Sequence, residues 1–248
     1  MAHIGIIGGS GLTDLENLQI TRREVIRTPY GEPSAPIVFG KLGGKEVLFL
    51  PRHGPGHTIP PHQINYRANI WALKEVGVKK VIAVAAVGAI TNLEPALILI
   101  PDQIIDYTYG RAHTYFDGDS RQVKHVDFTN PYCDELRKEL TSSIKSAKIS
   151  AVFTGTYGAT QGPRFETSAE INRLENDGAD IVGMTGMPEA GLARELDLCY
   201  ATIAVSANPA AGKSKDIIDI KQVEKTLEQG MKKVRKILEH AIPLMDKD

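Results

Sequence analysis

The sequence predicts an α/β fold, a single domain over residues 1–248 with a largely parallel or mixed central β-sheet flanked by helices. Three observations predict it. Short apolar runs rich in β-branched residues alternate with segments of helical periodicity. No composition break, internal repeat or low-complexity stretch marks a linker or an array. Hydrophobic residues make up 42% and charged residues 24%, ordinary globular proportions that exclude disordered and fibrous architectures.

Taken in order, residues 3–7 form a short strand-like run that ends in Gly8-Gly9-Ser10-Gly11, and residues 46–51 form a second. Residues 65–75 carry Tyr66, Ile70, Trp71 and Leu73 at helical spacing. Residues 80–86 are apolar without alternation, as expected of a strand buried on both faces. The stretch 108–125 is polar and aromatic, with Gly110, Asp117, Gly118 and Asp119; it reads as a long loop, and long loops in compact domains are often functional. Helical periodicity returns over 131–145, with Leu136, Leu140 and Ile144, and again over 166–175. Residues 181–184 and 200–206 are further buried strands, separated by a helix over 188–196. A last helix, 220–240, places Val223, Leu227, Met231, Val234 and Leu238 in one stripe with Lys and Glu opposite.

Charge and composition narrow the partners. Lys+Arg number 29 and Asp+Glu 30, so the cationic excess that displaces counterions from nucleic acid is missing. No apolar run approaches the roughly 20 residues that span a bilayer. The first dozen residues hold four glycines and no Arg/Lys region, unlike a secretory signal. Cys133 and Cys199 are too few for a disulfide framework and do not form a CxxC site. A soluble cytoplasmic protein is expected.

Five motifs follow strands. Gly8-Gly9-Ser10-Gly11 suits an anion nest of backbone N–H groups; it is not a dinucleotide fingerprint, because Asp14 stands where GxGxxG needs glycine. Ala207 likewise excludes a P-loop ending at Gly212-Lys213-Ser214. Arg52-His53-Gly54-Pro55-Gly56-His57 offers a planar fork for phosphate and an imidazole donor. A zinc site from His53, His57 and His62 is rejected, since the intervening glycines and proline break the helix that i,i+4 ligands need. In residues 162–170, spacing alone makes Glu166 a helix N-terminal charge and Phe165 a core ring. Residues 183–189 again open a helix after a strand, with the Thr185 hydroxyl suited to an anion and Met184 to packing. Asn208-Pro209 is a turn signal and also a side chain able to bond a purine edge. All five are therefore expected to converge on one crevice.

The motifs GGSGL (8–12), RHGPGH (52–57), NYRANIWALKEVG (65–77), QGPRFET (161–167), GMTGMPEA (183–190) and SANPAAGKS (206–214) resemble the trimeric purine nucleoside phosphorylase and 5′-methylthioadenosine phosphorylase family over nearly the whole chain. The resemblance implies a partly barrelled mixed sheet and a homotrimer with active sites at subunit borders. It implies phosphorolysis, in which phosphate attacks C1′ of a nucleoside, the purine leaves and α-ribose 1-phosphate forms, with no metal or organic cofactor. Carried over by position, Ser10, Arg52, His53, Thr185 and the Ala85–Ala86 segment bind phosphate, Ala85 lacking the hydroxyl that relatives often have there. Met184 lies along the ribose. Glu166 and Asn208 read the base, with Phe165, Pro209 and Ala210 beside them, and Asn208 and His53 are the catalytic pair. Ile220 and Val223 wall the 5′ substituent, and His125 reaches a neighbouring subunit's site. The expected substrate is a 6-oxopurine nucleoside, S-methyl-5′-thioinosine above others, in purine salvage. Methylthioadenosine, inosine or guanosine cleavage, hydrolysis by water, and a non-catalytic nucleoside- or phosphate-binding module are the rival readings.

Overall fold

The computed structural model describes residues 3–12, 15, 17–118 and 122–245. Asp14 and Asp119 lie outside the described residues. The chain opens with four strands, β1 (Ile4–Gly8), β2 (Gln19–Glu24), β3 (Ile37–Leu42) and β4 (Lys45–Pro51). Helix α1 (Tyr66–Glu75), β5 (Lys80–Ala89), β6 (Ile98–Leu99), β7 (Gln103–Asp106) and α2 (Asp134–Ser146) follow. Then come β8 (Ala151–Val152), β9 (Thr156–Ala159), α3 (Ser168–Asn176), β10 (Ile181–Gly183), α4 (Gly186–Glu195), β11 (Cys199–Pro209) and α5 (Ile220–Met245). The α/β class and the mixed sheet agree with the sequence reading. Strands β2, β3 and β6 to β9 were not anticipated.

All of these strands belong to one 11-stranded sheet centred on β5. Strand β11 runs parallel to β5 from Lys80 to Ala89 and covers one of its edges. The other edge is shared. Strand β1 pairs in parallel with residues Lys80 to Ala83, and β10 pairs antiparallel with Gly88 and Ala89. Residues 84–87 lie in the gap between β1 and β10. The Val84 carbonyl points into that gap, where it accepts from Arg52. Strand alternation turns the Ala86 N–H, two residues on, the same way. The gap is the structural origin of the site described below.

Helices cover both faces. The inward stripe of α5, including Leu227, Met231, Val234 and Leu238, packs with Leu136, Leu140 and Ile144 of α2 over β1, β5 and β11. Gly230 lets α5 approach closely, because a Cβ there would sit 2.2 Å from a Val205 methyl. On the opposite face Ile70 and Leu73 of α1 join Ala190, Leu192 and Ala193 of α4. Asn65 caps α1 by accepting from the Ala68 N–H.

The cysteines depart from expectation. Cys133, at the N-cap of α2, is disulfide-bonded to Cys199 at the start of β11, 66 positions away. A framework of several bridges is indeed absent, but a single cross-link forms because β11 brings the two Cα atoms to 5.1 Å. Closing a loop of this size restricts the unfolded chain and is worth roughly 2–4 kcal/mol. Reduction is therefore expected to lower Tm by roughly 5–15 °C, read by thermal unfolding with and without dithiothreitol. An unchanged Tm would mean the bridge adds no stability.

Candidate active site

The segments after β1, β4, β9, β10 and the end of β11 meet at the gap in β5. Together they line a cavity of about 560 Å³, within the range of small-ligand sites. The expected convergence of five motifs is thus observed. One end is built from Gly9, Ser10, Arg52, His53, Ala85, Ala86 and Thr185, and the other from Phe165, Glu166, Asn208 and Ala210, with Met184 also in the wall.

The first end is suited to an anion. Only glycine fits at position 9, since a Cβ would lie 2.4 Å from the Val84 carbonyl oxygen and 2.9 Å from Arg52 Nη1. Ala85 and Ala86 lie in β5, as the apolar run over 80–86 predicts, and the gap beside them supplies exposed backbone. Thr185 lies just before α4, whose first turn is interrupted by extended backbone at Met187 (φ −119°, ψ 143°), so its hydroxyl stands in a turn at the end of β10.

Arg52 differs from the open fork foreseen. It is 1% exposed. Its Nε and Nη2 donate to the two Glu189 oxygens at 2.6 and 2.8 Å, and Nη1 donates to Val84 O at 2.9 Å. Tyr200 adds a hydroxyl donor to Glu189 at 2.8 Å. Burial alone would lower the guanidinium pKa, but Glu189 outweighs it and the net direction is up. Arg52 therefore stays charged, and Glu189 neutralises much of that charge.

His53 is also constrained. Its Nδ1 lies 2.9 Å from the Ile59 carbonyl, which accepts only, so Nδ1 carries the hydrogen. Burial, and then the adjacent Arg52 charge, push its pKa down to about 4. The neutral ring thus presents Nε2 as an acceptor, reversing the donor role expected from sequence. The His57 ring stands edge-on at 4.4 Å, with its Nε2 3.0 Å from Ser10 Oγ. Among the described residues no cluster of three potential metal ligands occurs.

The His53 shift has a consequence for stability. An unfolded histidine takes a proton near pH 6.5, whereas His53 does so only near 4. Stability from this group is complete above about pH 6.5 and declines as pH falls toward 4, by up to roughly 3 kcal/mol. Denaturant unfolding of wild type and His53→Gln between pH 4 and 7 checks this; parallel pH profiles for the two would contradict it.

At the other end, Glu166 is not a helix-terminal charge. Thr167 caps α3 and forms a capping box with Glu170, which takes that role. Glu166 instead lines the cavity, and its Oε1 accepts from the Thr160 hydroxyl at 2.6 Å. Phe165 is 41% exposed and lines the cavity, so it is no core ring. Asn208 follows a register shift in β11 between Ser206 and Asn208, an irregularity of the kind that re-aims a side chain. Its Nδ2 donates one hydrogen to Pro209 O at 2.7 Å.

Three expected residues are not in the cavity wall. Pro209 is exposed and contributes its carbonyl to Asn208. Ile220 opens α5 and is 52% exposed. His125 is exposed. Val223 does line the cavity, accompanied by Ile218 from the preceding loop, which sequence periodicity passed over.

A model of the phosphorylase superfamily matches residues 3–243. The chain belongs to the phosphorylase superfamily. This phosphorylase is 51% identical over 242 residues to the probable S-methyl-5′-thioinosine phosphorylase of Pseudomonas syringae pv. tomato, covering 96% of this chain and 97% of the relative. It is 46% identical over 254 residues to the 6-oxopurine nucleoside phosphorylase of Pyrococcus furiosus, covering 100% and 95%. Among solved structures it resembles methylthioadenosine phosphorylase from Schistosoma mansoni in complex with adenine, with a TM-score of 0.95, 33% identity, and coverage of 100% and 93%. The cavity of this phosphorylase joins an end suited to an anion to a partly apolar end that holds a carboxylate and an amide.

Proposed function

We propose that this phosphorylase is a single-domain enzyme cleaving 6-oxopurine nucleosides with inorganic phosphate, S-methyl-5′-thioinosine in preference to others. It releases hypoxanthine and 5-methylthio-α-ribose 1-phosphate. The observation that carries the reading is the Glu166 carboxylate, held by Thr160 in the cavity that Asn208 also lines. A 6-oxopurine bears a hydrogen on N1 that a carboxylate accepts. Adenine presents a lone pair at N1, which a carboxylate repels.

Phosphate occupies the anion end. The Ser10 and Thr185 hydroxyls and the Ala86 N–H donate to it, Arg52 supplies residual positive potential, and neutral His53 accepts a P–OH hydrogen through Nε2. Attack at C1′ builds oxocarbenium character in the ribose lying along Met184, and negative charge in the departing purine. Asn208 donates its second amide hydrogen to N7 and stabilises that charge. No metal or organic cofactor takes part. The proposed setting is a soluble cytoplasmic homotrimer without nucleic-acid or membrane partners, with His125 entering a neighbouring subunit's site.

At the 5′ end, Ile218 and Val223 replace the expected Ile220–Val223 pair as the apolar wall. Burying a methyl and a thioether stabilises by about 1–2 kcal/mol. A hydroxyl left without a partner costs ~1–3 kcal/mol. Methylthioinosine is therefore expected to exceed inosine by roughly 10²- to 10³-fold in kcat/KM. Val223→His should narrow the gap by supplying a 5′-hydroxyl partner. Equal efficiency on the two nucleosides in wild type would refute the apolar pocket. The whole reading is tested by a panel of methylthioinosine, methylthioadenosine, inosine, guanosine and adenosine, each with and without phosphate.

A further inference from the structure

Arg111 sits in the long loop after β7 and is 8% exposed. Its hydrogen-bond acceptors are all uncharged oxygens. Nη2 donates to the carbonyls of Thr160 and Gln161 at 3.2 and 2.8 Å, and Nε to the Gln161 side-chain oxygen at 3.2 Å. Nη1 donates to the carbonyls of Met184 and Met187 at 2.9 and 2.6 Å, and lies 3.2 Å from the Tyr66 hydroxyl. That hydroxyl in turn donates to the Pro61 carbonyl at 2.9 Å. One guanidinium thus ties together three parts of the cavity wall: the strand end leading to Glu166, the Met184–Thr185 segment, and the turn at Pro61.

We infer that Arg111 is a positioning residue for base selection, acting on Glu166 through Thr160. The chain of contacts is short. Arg111 grips the Thr160 carbonyl, the Thr160 N–H donates to Gly183 O at 2.8 Å, and the Thr160 hydroxyl donates to Glu166 Oε1 at 2.6 Å. With Oε1 engaged, Glu166 turns a defined face to the base. A carboxylate so oriented discriminates an N1–H from an N1 lone pair; a loosely held one rotates or admits water and discriminates less. A planar fork reaches two backbone segments at once, whereas a lysine ammonium places its three hydrogens at one point.

This inference rests on the base-reading role proposed for Glu166, and the experiment separates the two. Arg111→Lys, Thr160→Val and Glu166→Gln are compared with wild type for kcat/KM on methylthioinosine and methylthioadenosine, with thermal unfolding as the check on folding. Arg111→Lys is expected to lower the methylthioinosine to methylthioadenosine ratio by roughly tenfold or more, since small displacements of a reading group cost about this much. A purely structural role would depress both substrates alike and leave the ratio unchanged. Thr160→Val removes the hydroxyl that holds Glu166 and also lies 3.3 Å from the Gly183 carbonyl, and it reads the same ratio if Arg111→Lys does not fold. A ratio lowered by Glu166→Gln but untouched by Arg111→Lys, or by Thr160→Val where that variant stands in, overturns the inference and leaves the function intact. A ratio untouched by Glu166→Gln overturns both.

Discussion

Glu166→Gln is expected to abolish most of the preference for methylthioinosine over methylthioadenosine. A site built for one hydrogen-bond pattern rejects the wrong one by as much as ~10⁴-fold, and that is the upper end expected for wild type. The carboxylate accepts the N1–H of a 6-oxopurine and repels the N1 lone pair of adenine. A glutamine removes the repulsion: with its amide oxygen held by the Thr160 hydroxyl, its NH₂ faces the base and donates to the adenine N1 lone pair. The substitution should therefore raise kcat/KM on methylthioadenosine while lowering it on methylthioinosine. Thr160, which donates to Glu166 Oε1, remains able to donate to the amide oxygen, so the fold around the site is preserved. Steady-state kinetics on both nucleosides decide the matter. A ratio that stays at its wild-type value would remove Glu166 from base recognition.

Glu189→Ala is expected to destabilise the protein by about 3–5 kcal/mol, the cost of leaving a buried charge without its partner. Arg52 and Glu189 are 1% and 0% exposed, and both arms of the contact are short. Arg52→Met alone strands the carboxylate in the same way, so its loss of activity would mix unfolding with loss of phosphate binding. The double variant Arg52→Met/Glu189→Leu separates them. Removing both charges should restore stability to within about 1–2 kcal/mol of wild type, since apolar replacements of buried pairs are often neutral. Its phosphate KM should nevertheless rise by roughly tenfold, because the residual positive potential that Arg52 supplies at the anion end is lost. Chemical denaturation and phosphate titration measure the two quantities. A stable double variant with a normal phosphate KM would assign Arg52 a structural role only.

The strands that the sequence revealed are those buried on both faces, because burial requires an uninterrupted apolar run. Strand β5, with Val81 to Val84 fully shielded, is the clearest. Strand β2 escaped notice for the opposite reason: Gln19–Glu24 is exposed throughout and has no apolar face to signal. Strands β6 and β8 are two residues each, too short for any period to register. Helix α5 was legible because its stripe holds over many turns, yet its first turn misled. Ile220 and Val223 share a helical face by spacing, but Ile220 begins the helix and points to solvent, while Ile218 reaches the cavity from the loop.

The site followed the same logic. Glycine- and proline-rich turns after buried strands announced five of its walls, since close backbone approach to a ligand demands them. Partner choice was not legible. Arg52 meets Glu189 across 137 positions, and Arg111 meets Met184 across 73. Neither spacing carries a period, and each depends on how the sheet branches at β5. The inverted polarity of His53 likewise follows from a carbonyl six residues on, Ile59, that only the turn geometry brings near.

Phosphate dependence separates phosphorolysis from hydrolysis by water. Purified protein is incubated with S-methyl-5′-thioinosine in phosphate-free buffer and in buffer containing inorganic phosphate, while free hypoxanthine is followed by chromatography and the phosphorus by ³¹P NMR. Hypoxanthine is expected to be released only with phosphate, in step with a sugar 1-phosphate resonance. Release at the same rate without phosphate, or no release in either buffer, would contradict phosphorolysis of this nucleoside.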